Sequence, residues 1–547
     1  MAFETYLSER RRQWMEEQGL WKNVLLCDLF DAAVEANPDG LALTGVNSAT
    51  GSETRLTYRE LARYVDRIAL GLVSLGVEPG DVVAFQLPNW WQFAAIAAAC
   101  ARIGAVSNPL MPIFRQRELR FMLDFAEAKV VIGPATFRGF DHAQMLRGLV
   151  GELGRPPRLF LVGGEGEESF EAFFLERARE TEGDARATFA ARRPGANALA
   201  ELMFTSGTSG EPKAVMHTSN TLVSSAREYG KWIGLNEQDI VFMASPLAHQ
   251  TGFIYGIVTA WLHKTQLALL DIWSAEAAAA VIQAEQATFT MASTPFLSDL
   301  ANDPAVTAER LHSLRIFVCA GAPIPPEIVR RATDRLGFAV LSCWGMTENG
   351  GVTITRPGDP PAKVLETDGK AIDGMEVRVV DADGRPLRHG ETGDLQVRGV
   401  ANFVGYLKRP ELSAVDEEGW FPTGDLARMD EDGYIRITGR SKDVIIRGGE
   451  NIPVVEVENV LYRHPSVAEV AIVAMPDKRL VEKGCAFVVT RPGRHIDVDE
   501  MRRFLEAEGV AKQYWPERLE CIETMPRTAS GKIQKFVLRD TAAGFGQ

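Results

Sequence analysis

The segment from Thr205 to Lys213 reads Thr-Ser-Gly-Thr-Ser-Gly-Glu-Pro-Lys and carries the residue types best suited to hold an anion. Its first six residues are small, four of them bear hydroxyl groups and two are glycines, so the backbone can curl while N–H and O–H donors converge. Lys213 then adds a positive charge. The segment is predicted to be a phosphate-binding loop formed by Thr205, Ser206, Gly207, Thr208, Ser209, Gly210 and Lys213.

The spacing distinguishes this loop from the phosphate loop of P-loop nucleotide hydrolases. That loop needs four residues between its first glycine and a Gly-Lys-Ser/Thr ending, whereas Lys213 follows Gly210 after Glu211 and Pro212. A flexible serine–glycine linker is the alternative, but such a linker is normally longer and would not directly follow the apolar run 198–204. We therefore favour a phosphate loop of another class.

Length and composition narrow the class of protein. At 547 residues the chain is too long for one hydrophobic core, so at least two folding units are expected. The net charge of −14 argues against surfaces for nucleic acid or anionic membranes. The six cysteines form no C-x-x-C pair, which argues against a zinc site or a disulfide framework. The charged N-terminus and the lack of a long apolar stretch predict a cytoplasmic protein without membrane insertion.

The first part of the chain has the pattern of an α/β protein. Helix-like stretches at 58–75 and 90–103 alternate with strand-like runs at 82–87 and 129–133. Strands separated by helices of this length predict βαβ units and parallel sheets.

The pattern changes in the last third of the chain. Short strands at 376–380, 393–398 and 434–438 are separated by turn signals such as Asp-Gly, which is typical of antiparallel structure. The predicted fold is α/β, with a large N-terminal domain (residues 1–441) of two parallel βαβ subdomains plus a small antiparallel β-barrel. A small mobile α+β C-terminal domain (residues 442–547) follows a hinge at Lys442.

Five short elements occur together in one order: the loop 205–213, Trp344-Gly345-Met346-Thr347-Glu348, Thr423-Gly424-Asp425, Gly439-Arg440-Ser441-Lys442-Asp443 and Pro526-Arg527-Thr528-Ala529-Ser530-Gly531-Lys532. With these elements the chain resembles the adenylate-forming superfamily, which includes acyl-CoA synthetases, adenylation domains of peptide synthetases and luciferases. The likeness extends over about residues 25 to 540. The segments 245–253, 87–90 and 293–296 look most like short- and medium-chain fatty acyl-CoA synthetases and cyclohexanecarboxylate CoA ligases.

The resemblance implies a ligase that works in two steps. A carboxylate attacks the α-phosphorus of ATP to give an acyl-adenylate and pyrophosphate, and the thiol of coenzyme A then displaces AMP. The small C-terminal domain swings about the hinge between the steps. ATP, Mg²⁺ and coenzyme A are therefore the expected co-substrates and cofactor, and a small carboxylic acid is the expected substrate.

Three residues are the predicted catalytic group. The first step brings a carboxylate toward a tetra-anion, so the site must neutralise charge and align the attack. By resemblance Lys532 supplies a mobile positive charge, which a lysine on a flexible stem can do. Thr347 would hydrogen-bond the α-phosphate, and Glu348, a hard oxygen donor, would bind Mg²⁺. A solvated carboxylate is the plain alternative for Glu348.

The nucleotide-binding residues also follow from the resemblance. Trp344 offers a face for adenine where the family more often has tyrosine, so any contact through that hydroxyl is lost; a core tryptophan is the alternative. A carboxylate such as Asp425 can accept from both ribose hydroxyls. The further residues expected at ATP or AMP are Gly321, Ala322, Pro323 and Arg440.

The acid-binding pocket is the least defined part of the prediction. By family position it is lined by His249, Gln250, Thr251, Phe253, Ala320, Gly345 and Met346. His249 could gate the pocket, hydrogen-bond the carboxylate or simply be packed. The segment 246–253 has no aspartate for a substrate ammonium and no asparagine of the aryl-acid type. A small to medium apolar acid, fatty or alicyclic, is predicted, with Ala320 and Gly345 leaving room for a ring.

Coenzyme A is expected to meet Arg447, Gly448 and Gly449 after the domain rotation, although a plain glycine turn is the alternative there. Two other activities fit the same superfamily: a stand-alone enzyme that loads an acyl or aryl acid onto a carrier protein, and a luciferase-like oxygenase. A catalytically silent nucleotide-binding protein is a further alternative. The sequence leaves the oligomeric state open, with a homodimer as one expectation.

Overall fold

The fold was analysed in a computed structural model of the chain. The structure describes residues 5–205, 212–321, 324–440, 443–447, 450–477, 479–528 and 532–545. The strands are β1 (Leu41–Asn47), β2 (Ser52–Thr57), β3 (Val82–Phe85), β4 (Val106–Pro109), β5 (Val130–Pro134), β6 (Thr136–Phe137), β7 (Phe140–Asp141), β8 (Arg158–Val162), β9 (Leu199–Thr205), β10 (Lys213–Thr218), β11 (Val241–Met243), β12 (Leu267–Leu269), β13 (Phe289–Ser293), β14 (Ile316–Ala320), β15 (Ala339–Met346), β16 (Gly350–Ile354), β17 (Lys370–Ala371), β18 (Met375–Val380), β19 (Thr392–Gly399), β20 (Phe421–Met429), β21 (Ile435–Arg440), β22 (Ile445–Arg447), β23 (Glu450–Ile452), β24 (Val467–Asp477), β25 (Val481–Thr490) and β26 (Arg518–Cys521).

The α-helices are α1 (Glu9–Glu17), α2 (Leu26–Ala36), α3 (Tyr58–Ser74), α4 (Trp91–Ile103), α5 (Gln116–Phe125), α6 (His142–Glu152), α7 (Ala185–Ala191), α8 (Ser219–Ile233), α9 (Gln250–Gly252), α10 (Thr259–His263), α11 (Ala275–Glu285), α12 (Thr294–Asn302), α13 (Pro326–Leu336), α14 (Pro361–Glu366), α15 (Val454–Leu461), α16 (Val498–Ala507) and α17 (Lys535–Ala543). A π-helical turn at Phe253–Val258 joins α9 to α10.

The local sequence explains where α3 begins, why α4 is buried and where α4 ends. The Thr57 side chain accepts from the Glu60 backbone N–H, and the Glu60 carboxylate accepts from the Thr57 N–H, so a capping box begins α3. Helix α4 is buried around nearly its whole circumference, as its run of alanines and large apolar residues predicts. It ends at Gly104, which has a φ of +70° and thus the left-handed conformation that favours glycine.

Two mainly parallel sheets form the N-terminal part, as predicted. The first has the strand order β17-β16-β15-β14-β13-β11-β12-β1-β2, and the second has the order β10-β9-β4-β3-β5-β8. The strands within each sheet are parallel, but β2, β16, β17 and β10 join their edges in antiparallel pairs. These edge hairpins were not predicted, and they matter because β9–β10 and β15–β16 flank the predicted catalytic motifs.

The antiparallel region is a sheet with the order β18-β19-β20-β21. At its start β21 also bonds to the segment that leads into β18: the Asp368 N–H donates to the Ile435 carbonyl at 2.8 Å, and the Ile435 N–H donates to the Gly369 carbonyl at 2.9 Å. Lys370 and Tyr434 form a further antiparallel bridge there, and this additional pairing is in keeping with the small barrel that the sequence predicted.

Separate hydrophobic cores support the division into a large and a small domain. One core lies between the two large sheets and includes Phe85, Ile132 and Val318. The C-terminal domain packs α15 and α16 against β24 and β25 around residues such as Val470 and Leu505. The boundary at residue 442 stays a prediction, because Lys442 lies outside the described residues. Among the residues that are described, no helix is both long and apolar enough to cross a membrane.

Candidate active site

The predicted phosphate loop is the connection of a β-hairpin. Strands β9 and β10 are antiparallel, and Thr205 pairs directly with Lys213 across the base of the loop. The Lys213 Nζ atom lies 4.7 Å from the centroid of the Tyr406 ring, a cation–π contact. A strand–loop–strand connection differs from the strand–loop–helix of P-loop proteins, as the spacing predicted. The loop residues Ser206, Gly207, Thr208, Ser209 and Gly210 lie outside the described residues.

Glu348 stands beyond the end of β15 and is held at two points. Its Oε1 atom accepts a hydrogen bond of 2.7 Å from the Tyr406 hydroxyl, and its backbone carbonyl accepts one of 2.7 Å from the Phe403 N–H. Burial and the Glu348 carboxylate raise the pKa of Tyr406, so this phenol stays protonated and donates. The Glu348 side chain is buried, and Oε2 has no hydrogen-bond partner among the described residues.

These features fit a magnesium ion that is shared with phosphate groups. Mg²⁺ is commonly bound by one or two carboxylates, with waters and phosphate oxygens in its other positions. Glu348 offers one oriented carboxylate, and its Oε2 atom has no hydrogen-bond partner in the described part of the chain. In the part of the chain that is described, no cluster of three or more His, Cys, Asp or Glu side chains forms a complete protein-only metal site. The residues present therefore suit a metal that arrives with the nucleotide.

Thr347 is positioned through its backbone by His217 on β10. The His217 Nε2 atom lies 2.8 Å from the Thr347 carbonyl oxygen, and Nδ1 lies 3.0 Å from the Thr221 hydroxyl. Burial lowers the pKa of His217 to about 4, so the ring is neutral and Nε2–H donates to Thr347. This contact ties the motif after β15 to the strand that follows the phosphate loop.

Trp344, Asp425 and Arg440 form one hydrogen-bonded group. The indole Nε1–H of Trp344 donates to Asp425 Oδ2 at 3.0 Å, and the Arg440 Nε–H donates to Oδ1 at 2.8 Å. Asp425 and Arg440 are also direct partners across strands β20 and β21. A carboxylate has about four lone-pair positions, so these two bonds leave capacity for ribose hydroxyls. Trp344 is buried and contributes to the core, as the alternative interpretation expected, and its contact with adenine stays a prediction.

We expect Trp344→Phe to raise the KM for ATP by about tenfold or more, because a hydrogen bond to a charged group contributes roughly 1.5–3 kcal/mol. The variant keeps an aromatic face but removes the bond that orients Asp425. Initial-rate kinetics at varied ATP check this result. Trp232→Phe is the matched control, because its indole donates to the Ile354 carbonyl at a distance from these residues. Equal KM values in the two variants would contradict the orienting role.

Lys532 reaches the same region from the C-terminal domain. The Thr528 N–H donates to the Lys532 carbonyl at 2.7 Å, and the Lys532 N–H donates to the Thr528 hydroxyl at 3.0 Å, which closes a tight turn. A Cβ added to Gly321 would lie 3.4 Å from Lys532 Cε. Burial and the charge of Arg440 lower the pKa of Lys532, whereas Asp425 and Glu348 raise it.

The predicted residues Lys532, Gly321, Glu348, Asp425 and Arg440 are thus brought together although they come from two domains. Gly321 has a φ of +85°, a conformation that favours glycine. Ala322 and Pro323, which the sequence placed in the same turn, lie outside the described residues.

His249 lies at the start of the segment predicted to bind the acid. Its Nδ1 atom accepts from the Thr251 N–H at 3.2 Å and lies 3.1 Å from the Thr251 hydroxyl. Burial and the charge of Lys532 lower the pKa of His249 to about 3, so the ring is neutral. Because Nδ1 accepts, the proton is assigned to Nε2, which can donate. Phe253 is fully buried in the π-helical turn and packs in the core.

Gln250 is bound to a buried glutamate that the sequence analysis missed. Its Nε2–H donates to Glu201 Oε2 at 2.6 Å, and neither the Glu201 Oε1 nor the Gln250 Oε1 atom has a partner among the described residues. Burial raises the pKa of Glu201 to about 8. The carboxyl group therefore stays protonated at neutral pH and contributes no charge beside the segment that carries His249.

We expect Glu201→Gln to flatten the pH dependence of stability. Between pH 4.5 and 8 the folded state keeps a proton on Glu201 that the unfolded state releases, so unfolding free energy falls as pH rises. The decline is about 1.4 kcal/mol per pH unit, or several kcal/mol over the interval. Glutamine keeps the shape without a titrating group. Urea midpoints of both proteins at pH 5 and pH 8 test this result, and identical pH slopes would contradict it.

The remaining pocket residues lie at the ends of β14 and β15. Ala320 is nearly buried, and Met346 packs against the core between the sheets. A Cβ at Gly345 would lie 1.8 Å from the Gly350 carbonyl oxygen, so glycine is required by the close pairing of β15 with β16. The interpretation that Gly345 leaves room for a substrate ring is not supported by this geometry.

Comparison with known proteins decides the family. A model described as "AMP-binding enzyme" matches residues 30–407, and one described as "AMP-binding enzyme C-terminal domain" matches residues 456–532. The chain belongs to the AMP-binding enzyme family. The resemblance to the adenylate-forming superfamily that the motifs predicted is thereby confirmed, and the use of ATP is supported.

Several relatives in this family match nearly the whole chain. The medium-chain fatty-acid–CoA ligase of Escherichia coli strain K12 is 38% identical, and the match covers 97% of this chain and 93% of that protein. A "salicylyl-CoA synthase / salicylate adenylyltransferase" of Streptomyces is 32% identical, with 96% and 95% covered. ATP-bound MatB from Rhodopseudomonas palustris superimposes with a TM-score of 0.82 at 27% identity, covering 95% of this chain and 100% of that chain. The apo form of MatB gives a TM-score of 0.71.

The chain therefore superimposes better on the ATP-bound form of MatB than on its apo form. In this arrangement Lys532 lies beside Asp425 and Glu348. The predicted coenzyme A contact Arg447 is engaged elsewhere, because its Nε–H donates to Glu517 at 2.6 Å within the C-terminal domain. Its neighbours Gly448 and Gly449 lie outside the described residues. The structure does not bring Arg447 to the residues around Lys532.

The functional residues that sequence reasoning missed share one property. Tyr406 contacts Glu348 across 58 positions of the chain, His217 contacts Thr347 across 130, and Glu201 contacts Gln250 across 49. None of them belongs to a motif with its own chemistry. Glu201 and His217 each have one sequence signal: a polar residue within an apolar strand. Such a residue is expected to have a buried hydrogen-bond partner, but the signal does not identify that partner.

Proposed function

We propose that the protein is an ATP-dependent carboxylic acid–CoA ligase that forms an acyl-adenylate and transfers its acyl group to coenzyme A. The observation that carries this proposal is the convergence of Lys532, from the C-terminal domain, with Glu348, Asp425 and Arg440. A movable cation, a metal-binding carboxylate and a ribose acceptor are the groups needed to position ATP for attack at its α-phosphorus.

In the first step the chain's residues bind and align two anions. The hairpin loop and Lys213 would hold the β- and γ-phosphates, and Asp425 would hold the ribose. Mg²⁺, held by Glu348, would neutralise charge on the phosphate oxygens when bound. The neutral His249 can donate from Nε2 to a carboxylate oxygen without repelling Lys532. Lys532 would then offset the charge that develops as the acid oxygen bonds to phosphorus and pyrophosphate leaves.

In the second step the C-terminal domain turns about Lys442. This motion would withdraw Lys532 and bring Arg447, Gly448 and Gly449 to the coenzyme A thiol, which attacks the acyl carbon and releases AMP. The ion pair between Arg447 and Glu517 keeps this arginine inside its own domain in the present arrangement. Cytoplasmic location and a homodimer stay predictions of the sequence.

The acid is proposed to be small to medium and apolar, either fatty or alicyclic. Two observations support this class: the described pocket residues at 249–253 carry no charge at neutral pH, and the E. coli relative at 38% identity is a medium-chain fatty-acid–CoA ligase. A second candidate is an aryl acid loaded onto coenzyme A or a carrier protein. It is favoured by the Streptomyces relative, whose name covers both a CoA synthase and an adenylyltransferase.

A pyrophosphate-release screen tests the proposal. Acids from acetate to dodecanoate are compared with benzoate, salicylate, cyclohexanecarboxylate and a set of amino acids, each with and without coenzyme A. The proposal predicts the highest kcat/KM with an apolar aliphatic or alicyclic acid and multiple turnovers of AMP only when coenzyme A is present. Highest activity with an amino acid, or an equal rate of AMP release with and without coenzyme A, would count against the proposal.

A further inference from the structure

The loop of residues 399–407, called here the 399–407 loop, lies between β10 and the N-terminal segment. On one side it continues the hydrogen bonding of β10. The Val404 N–H donates to the Met216 carbonyl at 2.9 Å, and the Leu407 N–H donates to the Ala214 carbonyl at 2.9 Å. These bonds fix one edge of the loop to the strand that follows the phosphate loop.

Arg11, on helix α1, binds the opposite side of the 399–407 loop. Its Nη1–H donates to the Phe403 carbonyl at 2.9 Å, and its Nη2–H groups donate to the carbonyls of Gly399, at 3.4 Å, and Asn402. Among the described residues no carboxylate pairs with Arg11. Its charge is balanced by carbonyl oxygens and by the ring of Trp21, whose centroid lies 5.5 Å from the Arg11 Cζ atom. The planar guanidinium suits this task, because its donors are fixed in a fork that reaches several acceptors.

Two more N-terminal residues reinforce this contact. The Trp21 indole N–H donates to the Val400 carbonyl at 2.9 Å, and the Tyr6 N–H donates to the Val404 carbonyl at 2.8 Å. A Cβ at Gly405 would lie 2.4 Å from Tyr6 Cδ2, so the aromatic ring packs directly on the backbone of the loop. Residues 6–21 therefore cover the loop along most of its length.

The 399–407 loop also contains the two residues that bind Glu348, the predicted magnesium ligand. Phe403 donates from its backbone to the Glu348 carbonyl, and Tyr406 donates from its hydroxyl to the Glu348 carboxylate, each at 2.7 Å. The Tyr406 ring also lies against Lys213 Nζ. A shift of the loop would therefore move Glu348 and Lys213 together.

We propose that Arg11 is a positioning residue for the magnesium and phosphate part of the site, acting through the 399–407 loop. This inference rests on the proposed function, because it assigns the loop's purpose to the binding of magnesium and the pyrophosphate end of ATP. Arg11 binds the 399–407 loop through backbone carbonyls, and its guanidinium also lies over the Trp21 ring. It also precedes residue 30, where the match to the AMP-binding family begins, so it is a feature of this chain outside the matched region.

Hydrogen–deuterium exchange of the full-length, ligand-free protein tests the contact itself. Arg11→Met removes the donors but keeps a long apolar side chain. We expect amide exchange in peptides covering 399–407 and 346–350 to quicken by about tenfold, because local opening becomes easier. The matched control is Arg12→Met on the same helix, since the ion pairs of Arg12 with described residues are those with Glu9 and Glu16 at the surface. Unchanged exchange in Arg11→Met, or equal changes in both variants, would overturn the inference.

The magnesium dependence of pyrophosphate exchange tests the consequence. For Arg11→Met we expect the Mg²⁺ concentration at half-maximal rate to rise about tenfold, the lower end of the effect typical of residues that orient metal ligands. Arg12→Met should match the wild type, and thioester formation from supplied acyl-AMP should be unaffected. Arg11→Lys should resemble Arg11→Met, because one ammonium group cannot reach three carbonyls.

The outcomes separate the two proposals. An inactive wild type contradicts the proposed function, whereas an active wild type whose Mg²⁺ dependence is unchanged in Arg11→Met contradicts only the role of Arg11. If Arg11→Met does not fold, Trp21→Phe removes a single bond to the same loop and is measured in its place. A lower melting temperature with wild-type Mg²⁺ dependence would reduce Arg11 to a structural residue and overturn the inference.

Discussion

Lys532→Ala is expected to lower acyl-adenylate formation by about a hundred- to a thousandfold, the effect typical of removing one preorganised group that stabilises transition-state charge. Lys532 is the only member of the proposed group that comes from the C-terminal domain, and it lies beside Gly321 in the arrangement described. Its pKa is lowered, mainly by burial, but its role requires the ammonium form. The rate of adenylation should therefore begin to decline at a lower pH than it would if Lys532 had the pKa of an ordinary lysine.

Separate assays of the two half-reactions check this expectation. Pyrophosphate exchange reports adenylation, and thioester formation from synthetic acyl-AMP reports the second step, in which Lys532 has no proposed part. Lys512→Ala is the matched control, because that lysine is in the same domain and its side chain is 75% exposed. If Lys532→Ala lowers both half-reactions equally, the residue supports the fold or the nucleotide site in general and not the first step.

Glu348→Gln is expected to have an effect of similar size but of a different kind. It removes the negative charge that would bind Mg²⁺, so pyrophosphate exchange should fall by about a hundredfold or more, since a metal supplies several kcal/mol of charge stabilisation. The glutamine oxygen can still accept from Tyr406, so the 399–407 loop should stay in place. The Mg²⁺ concentration at half-maximal rate should rise in Glu348→Gln and stay unchanged in Lys532→Ala.

Metal titrations of both variants distinguish these roles. Glu237→Gln is the control, because Glu237 is 75% exposed and its ion pair with Lys264 is long, at 3.7 Å. A Glu348→Gln enzyme with normal rates and normal Mg²⁺ dependence would show that this carboxylate is structural, held by Tyr406 for the sake of the fold.

The family and the α/β fold with a large and a small domain could be predicted from sequence because both rest on local signals. The family motifs are short and contiguous, and helix and strand periodicities are set within a few turns. Asp425 and Arg440 were predicted separately, and the register of β20 and β21 makes them direct partners.

The support around the motifs could not be predicted, because it depends on contacts between distant parts of the chain. Tyr406 and His217 orient Glu348 and Thr347 through tertiary packing, and neither residue has a spacing that marks it. The same limit explains one difference from expectation. A Cβ at Gly345 would meet the Gly350 carbonyl oxygen, a tertiary contact that no local pattern of the sequence indicates.

The central claim is that this site joins a carboxylate to the α-phosphorus of ATP. The most direct test is the exchange of labelled pyrophosphate into ATP by the wild-type protein, with Mg²⁺ present and coenzyme A absent, across the acids of the screen. The account predicts exchange that requires an acid, is strongest with an apolar aliphatic or alicyclic one, and is nearly lost in Lys532→Ala. Wild-type protein that binds ATP yet exchanges no label with any of these acids would contradict it.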